Sequence, residues 1–163
     1  MKKYNLAFLL LFVATLTFAQ VSPRKQVEGK IGEVTVSVDY GSPSVKGRFI
    51  WGNLVKYNAV WRAGANENTT ISFDAPVKID DVTVAAGKYG FFVIASEKEE
   101  WTLILSSKND AWGSSGYSEA NDVVRIKVSP TFKAEVQEEL VFKVKENGIK
   151  LAWDKASILL PIN

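Results

Sequence analysis

Residues 140–153 read LVFKVKENGIKLAW, and this stretch decides the fold class. Apolar side chains alternate with Val141 and two lysines before Asn147-Gly148, and a second alternating run follows that pair. Strict alternation indicates a strand with one buried face. Asn-Gly between two such runs favours a two-residue hairpin, because both residues tolerate the positive φ of a type I′ turn. The stretch therefore predicts an antiparallel β-hairpin.

The same kind of pattern recurs along the chain. Alternating or short apolar runs lie at 34–40, 70–73, 77–79, 82–84, 89–95, 101–106, 124–128 and 157–162. Turn residues separate them, and 107–120 is predicted to be a longer loop. Only 49–58 and 134–140 suggest a helical turn or two. Many short strands with this spacing predict an all-β fold, an antiparallel β-sandwich of jelly-roll or similar type, as a single domain.

The first residues form a targeting segment. Met1-Lys2-Lys3 is a short basic start, residues 6–18 are almost entirely apolar, and Thr17-Phe18-Ala19 offers small residues for a signal peptidase. The apolar run is too short for a helix across a bilayer of about 30 Å, although a retained anchor helix is the alternative. We expect residues 1–19 to be a cleaved signal peptide and 20–163 to be exported, either to the periplasm or out of the cell.

Composition removes several classes of chemistry. The 163 residues contain no His and no Cys. Catalysis by His, imidazole or thiolate metal sites, cysteine nucleophiles and disulfides are therefore excluded. Asn109-Asp110 and Asn121-Asp122 lack the spacing of a calcium loop. We expect no cofactor and no metal.

The charge balance is neutral once the signal segment is left aside. The chain has 20 Lys and Arg against 18 Asp and Glu, and Lys2 and Lys3 are the only charged residues before position 20, which leaves 18 of each sign. A nucleic-acid surface needs a basic surplus or stripe, and docking on an anionic membrane needs a polybasic segment. We see neither in the sequence and expect neither partner.

Residues 47–70, GRFIWGNLVKYNAVWRAGANENTT, break the strand pattern. One interpretation is a ligand site, because aromatic faces with a few oriented polar groups suit small molecules. The other is a structural crossover whose aromatic rings close one end of the sandwich, with Arg48 or Arg62 stacked on a Trp or bonded to a carboxylate. The candidate ligand-binding residues are Arg48, Trp51, Trp61, Arg62, Asn66 and Glu67, joined by Trp112 and Tyr117 from the long loop.

Several residues in this region also carry a family resemblance. They are Gly47-Arg48, Ile50-Trp51-Gly52, Leu54-Val55, Tyr57, Val60-Trp61-Arg62 and Gly64-Ala65-Asn66, then Ala86-Gly87-Lys88-Tyr89 and the strands of Trp101, 122–128 and Trp153. The set resembles the signature of the domain of unknown function 2911 family, exported β-rich proteins found mainly in Bacteroidetes. Lys56 departs from it, since the family usually has a Pro there that would fix φ.

The resemblance spans residues 22–162 and implies a secreted or periplasmic β-rich domain. It implies no reaction and no substrate. The residues characteristic of the family are Arg48, Trp51, Trp61, Arg62, Gly64, Asn66 and Tyr89.

The residues leave three functions open. A non-catalytic binding module for a glycan or another neutral small molecule is favoured, because four aromatic residues of the candidate set lie in irregular segments. A structural or assembly-partner domain of the cell envelope is the alternative, although Lys143 and Lys145 on an outer face oppose casual strand pairing.

The third function is a carboxylate-based hydrolase. Glycoside hydrolysis needs only two carboxylates, and the candidates in or beside loops are Glu67, Asp110, Glu119 and Asp122. Acids in loops are mostly solvated surface groups, and only a perturbed pKa in a cleft would single one out. An enzyme is therefore the less favoured reading. The oligomeric state stays open.

Overall fold

A computed structural model describes residues 22–163. The predicted signal peptide, residues 1–19, lies outside the described residues. Within them the fold is all-β and antiparallel, as the alternating runs predict, with a single turn of 3-10 helix at Glu119–Asn121. No helix of this described part is long and apolar enough to cross a membrane.

Most strands follow the predicted runs, but strand at 24–31, 60–61 and 131–139 was not predicted, and the runs at 149–153 and 157–162 form one strand rather than two. The strands are β1 (Arg24–Ile31), β2 (Val34–Gly41), β3 (Val60–Trp61), β4 (Thr70–Phe73), β5 (Val77–Ile79), β6 (Val82–Val84), β7 (Gly87–Ile94), β8 (Trp101–Ser106), β9 (Asp122–Val128), β10 (Thr131–Lys145) and β11 (Gly148–Pro161).

Two layers enclose the core. The main sheet has the order β1-β2-β4-β7-β8-β9, with β3 attached to β7. The β10-β11 hairpin forms the second layer, and β5 and β6 form a small separate hairpin. Phe142 of the second layer packs against Tyr40 and Phe91 of the main sheet, at ring distances of 4.7 and 6.0 Å. Apolar groups from both layers therefore meet in one core, which makes the fold sandwich-like.

The strand β1 was not among the predicted strands. Its charged residues hide a weak alternation in which Val27 and Ile31 face inward. Gly29 also lies on the inner face, because a Cβ there would come within 2.8 Å of Val144 Cβ in the second layer. A glycine chosen for close layer packing leaves no hydrophobic signal in the sequence.

The decisive hairpin is confirmed, but its turn is not the predicted one. Lys145 pairs with Gly148, so the two loop residues are Glu146 and Asn147. Neither has a positive φ, whereas Gly148 has φ 142°. A type I′ turn requires positive φ at both loop residues. Gly148 serves a close contact instead, because a Cβ there would lie 2.1 Å from the carbonyl oxygen of Leu160.

The suggested helical turns are wrong at both places. Residues 134–140 lie inside β10, where the amide of Leu140 donates to Pro43 O (2.9 Å) and the amide of Val45 donates to Glu138 O (2.8 Å). Residues 49–58 form consecutive turns rather than a helix. Backbone pairing between segments far apart in sequence decides the conformation at 134–140, and a local pattern cannot report it.

The strand β11 folds back on itself. Its 14 residues would span about 45 Å if fully extended. Yet the amide of Ile162, next to the end of β11, donates to Asn147 O (3.2 Å) beside its start, and Gly148 touches Leu160. The reversal is at Asp154, which has φ 50°. The partner strand β10 follows the outside of this bend. Phe132 pairs with Ala156 and Val141 pairs with Ala152, so β10 uses nine residue steps where β11 uses four.

Candidate functional site

Two of the candidate tryptophans lie in the core. Trp51 and Trp61 join Trp101 and Trp153 in an indole cluster, with ring-centre distances of 4.6 Å for Trp51–Trp101 and 5.8 Å for both Trp51–Trp61 and Trp61–Trp153. The Nε1 of Trp61 also donates to Gly64 O (3.2 Å). Rings packed against one another in or against the core offer no free platform to a ligand. The crossover interpretation therefore fits this half of the motif.

The guanidinium of Arg48 forms hydrogen bonds within its own turn. Its Nε donates to Val45 O at 3.0 Å, and its Nη2 donates to Ser44 O. The side chain is exposed. Its hydrogen bonds close the turn that carries β2 into residues 49–58, which is a structural task.

The remaining polar candidates meet the long loop. The amide of Gly113 donates to Asn66 O (3.0 Å), and the amide of Asn68 donates to Ala111 O (3.0 Å). Between these two bonds the backbones of Glu67 and Trp112 form an antiparallel β-bridge. We call Arg62, Asn66, Glu67, Asn68 and Trp112 the loop cluster. Its backbone bonds bring together residues about 45 positions apart, so the candidates from the two irregular segments do converge.

Trp112 is the exposed member of the loop cluster. Its side chain is 66% exposed, whereas the four tryptophans of the indole cluster are buried or nearly so. Its backbone is held by the bridge to Glu67 and by the hydroxyl of Ser115, which donates to Trp112 O (2.9 Å). An indole kept in water on a fixed backbone is a surface for stacking.

Arg62 lies beside this loop without an acidic partner. A Cβ on Gly113 would be 3.6 Å from Arg62 Nη1, so the guanidinium reaches the residue next to Trp112. Its Nε is buried, and in the described chain neither a hydrogen bond to that atom nor a carboxylate in ion-pair range of Arg62 is found. Burial lowers the pKa of the Arg62 guanidinium. A half-buried cation with no counter-charge is costly unless another group bonds to it.

Asn68 is a member that the sequence analysis missed. It is 2% exposed, and neither Nδ2 nor Oδ1 has a partner among residues 22–163. Its backbone is fully engaged, because Asn68 O accepts from Arg24 Nη2 (2.9 Å). Buried amides almost always have partners. Within the run Asn66-Glu67-Asn68 it looked like one more turn residue, and no sequence signal marks it as buried.

Tyr117 belongs to a separate network. Its hydroxyl donates to Asp122 Oδ2 (2.9 Å) and accepts from Arg125 Nη1 (3.0 Å), and its ring packs edge-on against Phe92. Burial, followed by the hydrogen bond to Asp122, raises the pKa of Tyr117. The structure does not bring Tyr117 into hydrogen-bond contact with the loop cluster; it ties the end of the long loop to β9.

This network predicts a pH dependence. A raised folded-state pKa means that the fold favours the neutral phenol, so the stabilisation is complete below the ordinary tyrosine pKa of about 10 and is lost as the pH rises through the higher folded-state value. We expect Tyr117→Phe to be destabilising at neutral pH. The difference in free energy of unfolding from wild type should shrink above about pH 10, as measured by urea titration at several pH values. A difference that stays constant or grows in alkali would contradict the assignment.

Each acidic candidate either contacts a Lys or Arg side chain or is exposed to solvent. Asp110 Oδ1 lies 2.6 Å from Lys108 Nζ, and this contact holds the pKa of Asp110 below its ordinary value. Asp122 is ion-paired with Arg125 and accepts a hydrogen bond from Tyr117. The Oε2 atom of Glu67 lies 3.9 Å from Arg24 Nη1, and Glu119 is exposed. A general acid needs a raised pKa. Across residues 22–163 no group of three or more acidic side chains could hold a metal ion.

Comparison with known proteins gives one match. No curated protein and no solved structure matches the chain. The family model described as Protein of unknown function (DUF2911) matches residues 22–162, which is the whole described domain except Asn163. The matched range contains the indole cluster and the loop cluster alike. The chain therefore belongs to the domain of unknown function 2911 family.

Proposed function

We propose that this chain is an exported, non-catalytic binding module that holds a glycan or another neutral, hydroxyl-rich small molecule at the loop cluster. The observation that carries the proposal is the exposed indole of Trp112 on a backbone fixed by Asn66 and Glu67. The basic start and apolar run of residues 1–18 support export to the cell envelope.

The polar members of the loop cluster suit hydroxyl groups. The guanidinium of Arg62 offers only donors, whereas the amide of Asn68 offers two donors and an acceptor. The amide atoms of Asn68 are buried, so a sugar hydroxyl at the surface can accept from Arg62 but does not reach Asn68. The ring of Trp112 can then cover the apolar face of the same sugar. This is the usual composition of a small-molecule site, an apolar surface with a few oriented polar groups.

Binding without catalysis fits the acidic residues better than hydrolysis does. Glycosidases place two carboxylates about 5 to 10 Å apart on either side of the bond, and the acid has a raised pKa. Here Asp110 has a lowered pKa and Asp122 is engaged by Arg125 and Tyr117. Glu67 is the remaining carboxylate of the loop cluster, and it has no second acid beside it in the cluster.

The test is Trp112→Ala, with Phe49→Ala as the matched control. Phe49 is 84% exposed and lies in the turns outside the loop cluster. Its replacement therefore removes an exposed aromatic ring from a different part of the surface. We expect wild type to bind members of an array of neutral oligosaccharides. Trp112→Ala should weaken the best ligand at least tenfold in calorimetric titration, equivalent to about 1.4 kcal/mol, while Phe49→Ala binds as wild type does.

Both variants should melt close to the wild-type temperature, because the removed rings are exposed. Absence of binding to any neutral glycan by wild type would refute the proposal. Equal affinity of Trp112→Ala and Phe49→Ala for the ligand would do the same.

A further inference from the structure

Five lysines surround a cavity on the second layer. The cavity measures about 230 Å³ and lies between the outer arc of β10 and the folded β11. We call it the lysine cup. Its charged lining residues are Lys133, Lys143, Lys145, Lys150 and Lys155, against the two acids Glu135 and Asp154. The lining thus carries a net charge of +3 in a domain whose described residues balance to zero.

The lysines of the cup lack acidic partners. No carboxylate in residues 22–163 lies within ion-pair distance of any of the five, whereas Lys25 and Lys108 elsewhere are paired at 2.9 and 2.6 Å. Lys143 and Lys150 stand directly opposite each other across β10 and β11. Opposite residues share a face, and like charges there are destabilising. The fold therefore maintains an unfavourable concentration of positive charge.

The topology brings these lysines together. Lys133 and Lys155 each adjoin the Phe132–Ala156 pair, while Lys143 and Lys150 form the pair nearer the hairpin turn. They are spread over 23 residues in the sequence and mixed with acids, so no basic run is visible there. The sequence shows no basic surplus or stripe, and the lysines of the cup come together only in the fold. The expectation that nucleic acid does not bind stays a prediction.

The rest of the cup is largely apolar. Val136, Val141, Ala152 and Ala156 complete much of its lining, with Gln137 and Ser157 beside them. A cup of this size holds one small charged group and part of the body that carries it. A long polyanion would need charges along an extended track, whereas these five lysines line one half-open cup.

We propose that the lysine cup binds the phosphate of a phosphate monoester. Such a group carries nearly two negative charges and three acceptor oxygens. Lysine ammoniums are donors only and bind phosphate as point charges. A carboxylate would balance just one charge of the surplus. The apolar lining contacts the organic body of the ester. The cup shares no residue with the loop cluster, so this inference stands apart from the proposed function.

The test compares two double variants. Lys143→Gln/Lys150→Gln removes the facing pair, and Lys56→Gln/Lys88→Gln removes two exposed lysines outside the cup. The probes are inorganic phosphate, a soluble hexose phosphate, and vesicles of phosphatidylcholine with or without phosphatidic acid, at constant ionic strength. Calorimetry measures soluble binding, and co-sedimentation measures vesicle binding.

We expect wild type and Lys56→Gln/Lys88→Gln to bind a phosphate monoester equally, and Lys143→Gln/Lys150→Gln to bind at least tenfold more weakly. Preference for the hexose phosphate identifies a soluble ligand, and preference for phosphatidic acid identifies a lipid headgroup. In chloride, Lys143→Gln/Lys150→Gln should melt no lower than wild type, because repulsion has been removed. Equal binding by both double variants overturns the proposal, and so does binding of neither source by wild type.

Discussion

Replacement of Trp153 by alanine is expected to lower the free energy of unfolding by about 3 to 5 kcal/mol, the usual cost of deleting a buried large aromatic side chain. Trp153 is 1% exposed and lies on β11, where it contacts Trp51 and Trp61 from the crossover. It therefore joins the second layer to the crossover, residues 47–70. Urea denaturation followed by circular dichroism measures the loss. A typical domain has only about 5 to 15 kcal/mol in total, so this variant stands close to unfolding.

Trp112→Ala is the matched control for this measurement. It deletes the same side chain from a position that is 66% exposed, so we expect a change below about 0.5 kcal/mol, as for other surface substitutions. Similar losses for the two variants would mean that Trp112 is not free in solution, or that the indole cluster does not hold the layers together.

Replacement of Gly148 by alanine should be about as damaging, by a different mechanism. The added Cβ would lie 2.1 Å from Leu160 O, a contact with backbone that cannot move without separating the two halves of β11. Overpacking costs about 1 to 3 kcal/mol, and a backbone near φ 142° adds strain for a residue with a side chain. We expect a combined loss of about 2 to 6 kcal/mol in the free energy of unfolding.

Gly32→Ala separates the two contributions. Gly32 also has a positive φ, of 58°, but no atom lies within 4 Å of the position its Cβ would take. Only the backbone cost of about 1 to 2 kcal/mol remains there. If Gly148→Ala loses no more stability than Gly32→Ala in the same urea titration, β11 does not close on itself as described.

The strands were predictable because alternation is a local property. The run at 89–95 was expected to be buried on both faces, and Phe91, Phe92 and Val93 of β7 are all buried. The turn at Asp80-Asp81 was read from turn residues alone and lies between β5 and β6. Each of these features depends on a few neighbouring residues, so a single sequence contains the information.

The features that the sequence did not predict depend on contacts between residues far apart in the chain. Residues 134–140 are strand because they bond to residues 43–45, and β1 is strand although its inward Gly29 contributes no apolar side chain. In the candidate site, irregular backbone was taken as a sign of exposure. That holds for Trp112, but Trp51 sits in consecutive turns with its ring packed into the core. Arg62 and Asn68 stand out only because they are buried. The burial of a single polar residue leaves no periodic pattern in the sequence.

The reversal of β11 at Asp154 has a consequence for the order of assembly. Both bends of the second layer join residues close in the chain, whereas the main sheet must pair β2 with β4 across more than 30 residues. Short closures lose less chain entropy and occur on the microsecond scale, while distant pairings are slow. We therefore expect the segment from Leu140 onward to acquire its shape early and to provide the surface on which the larger sheet condenses.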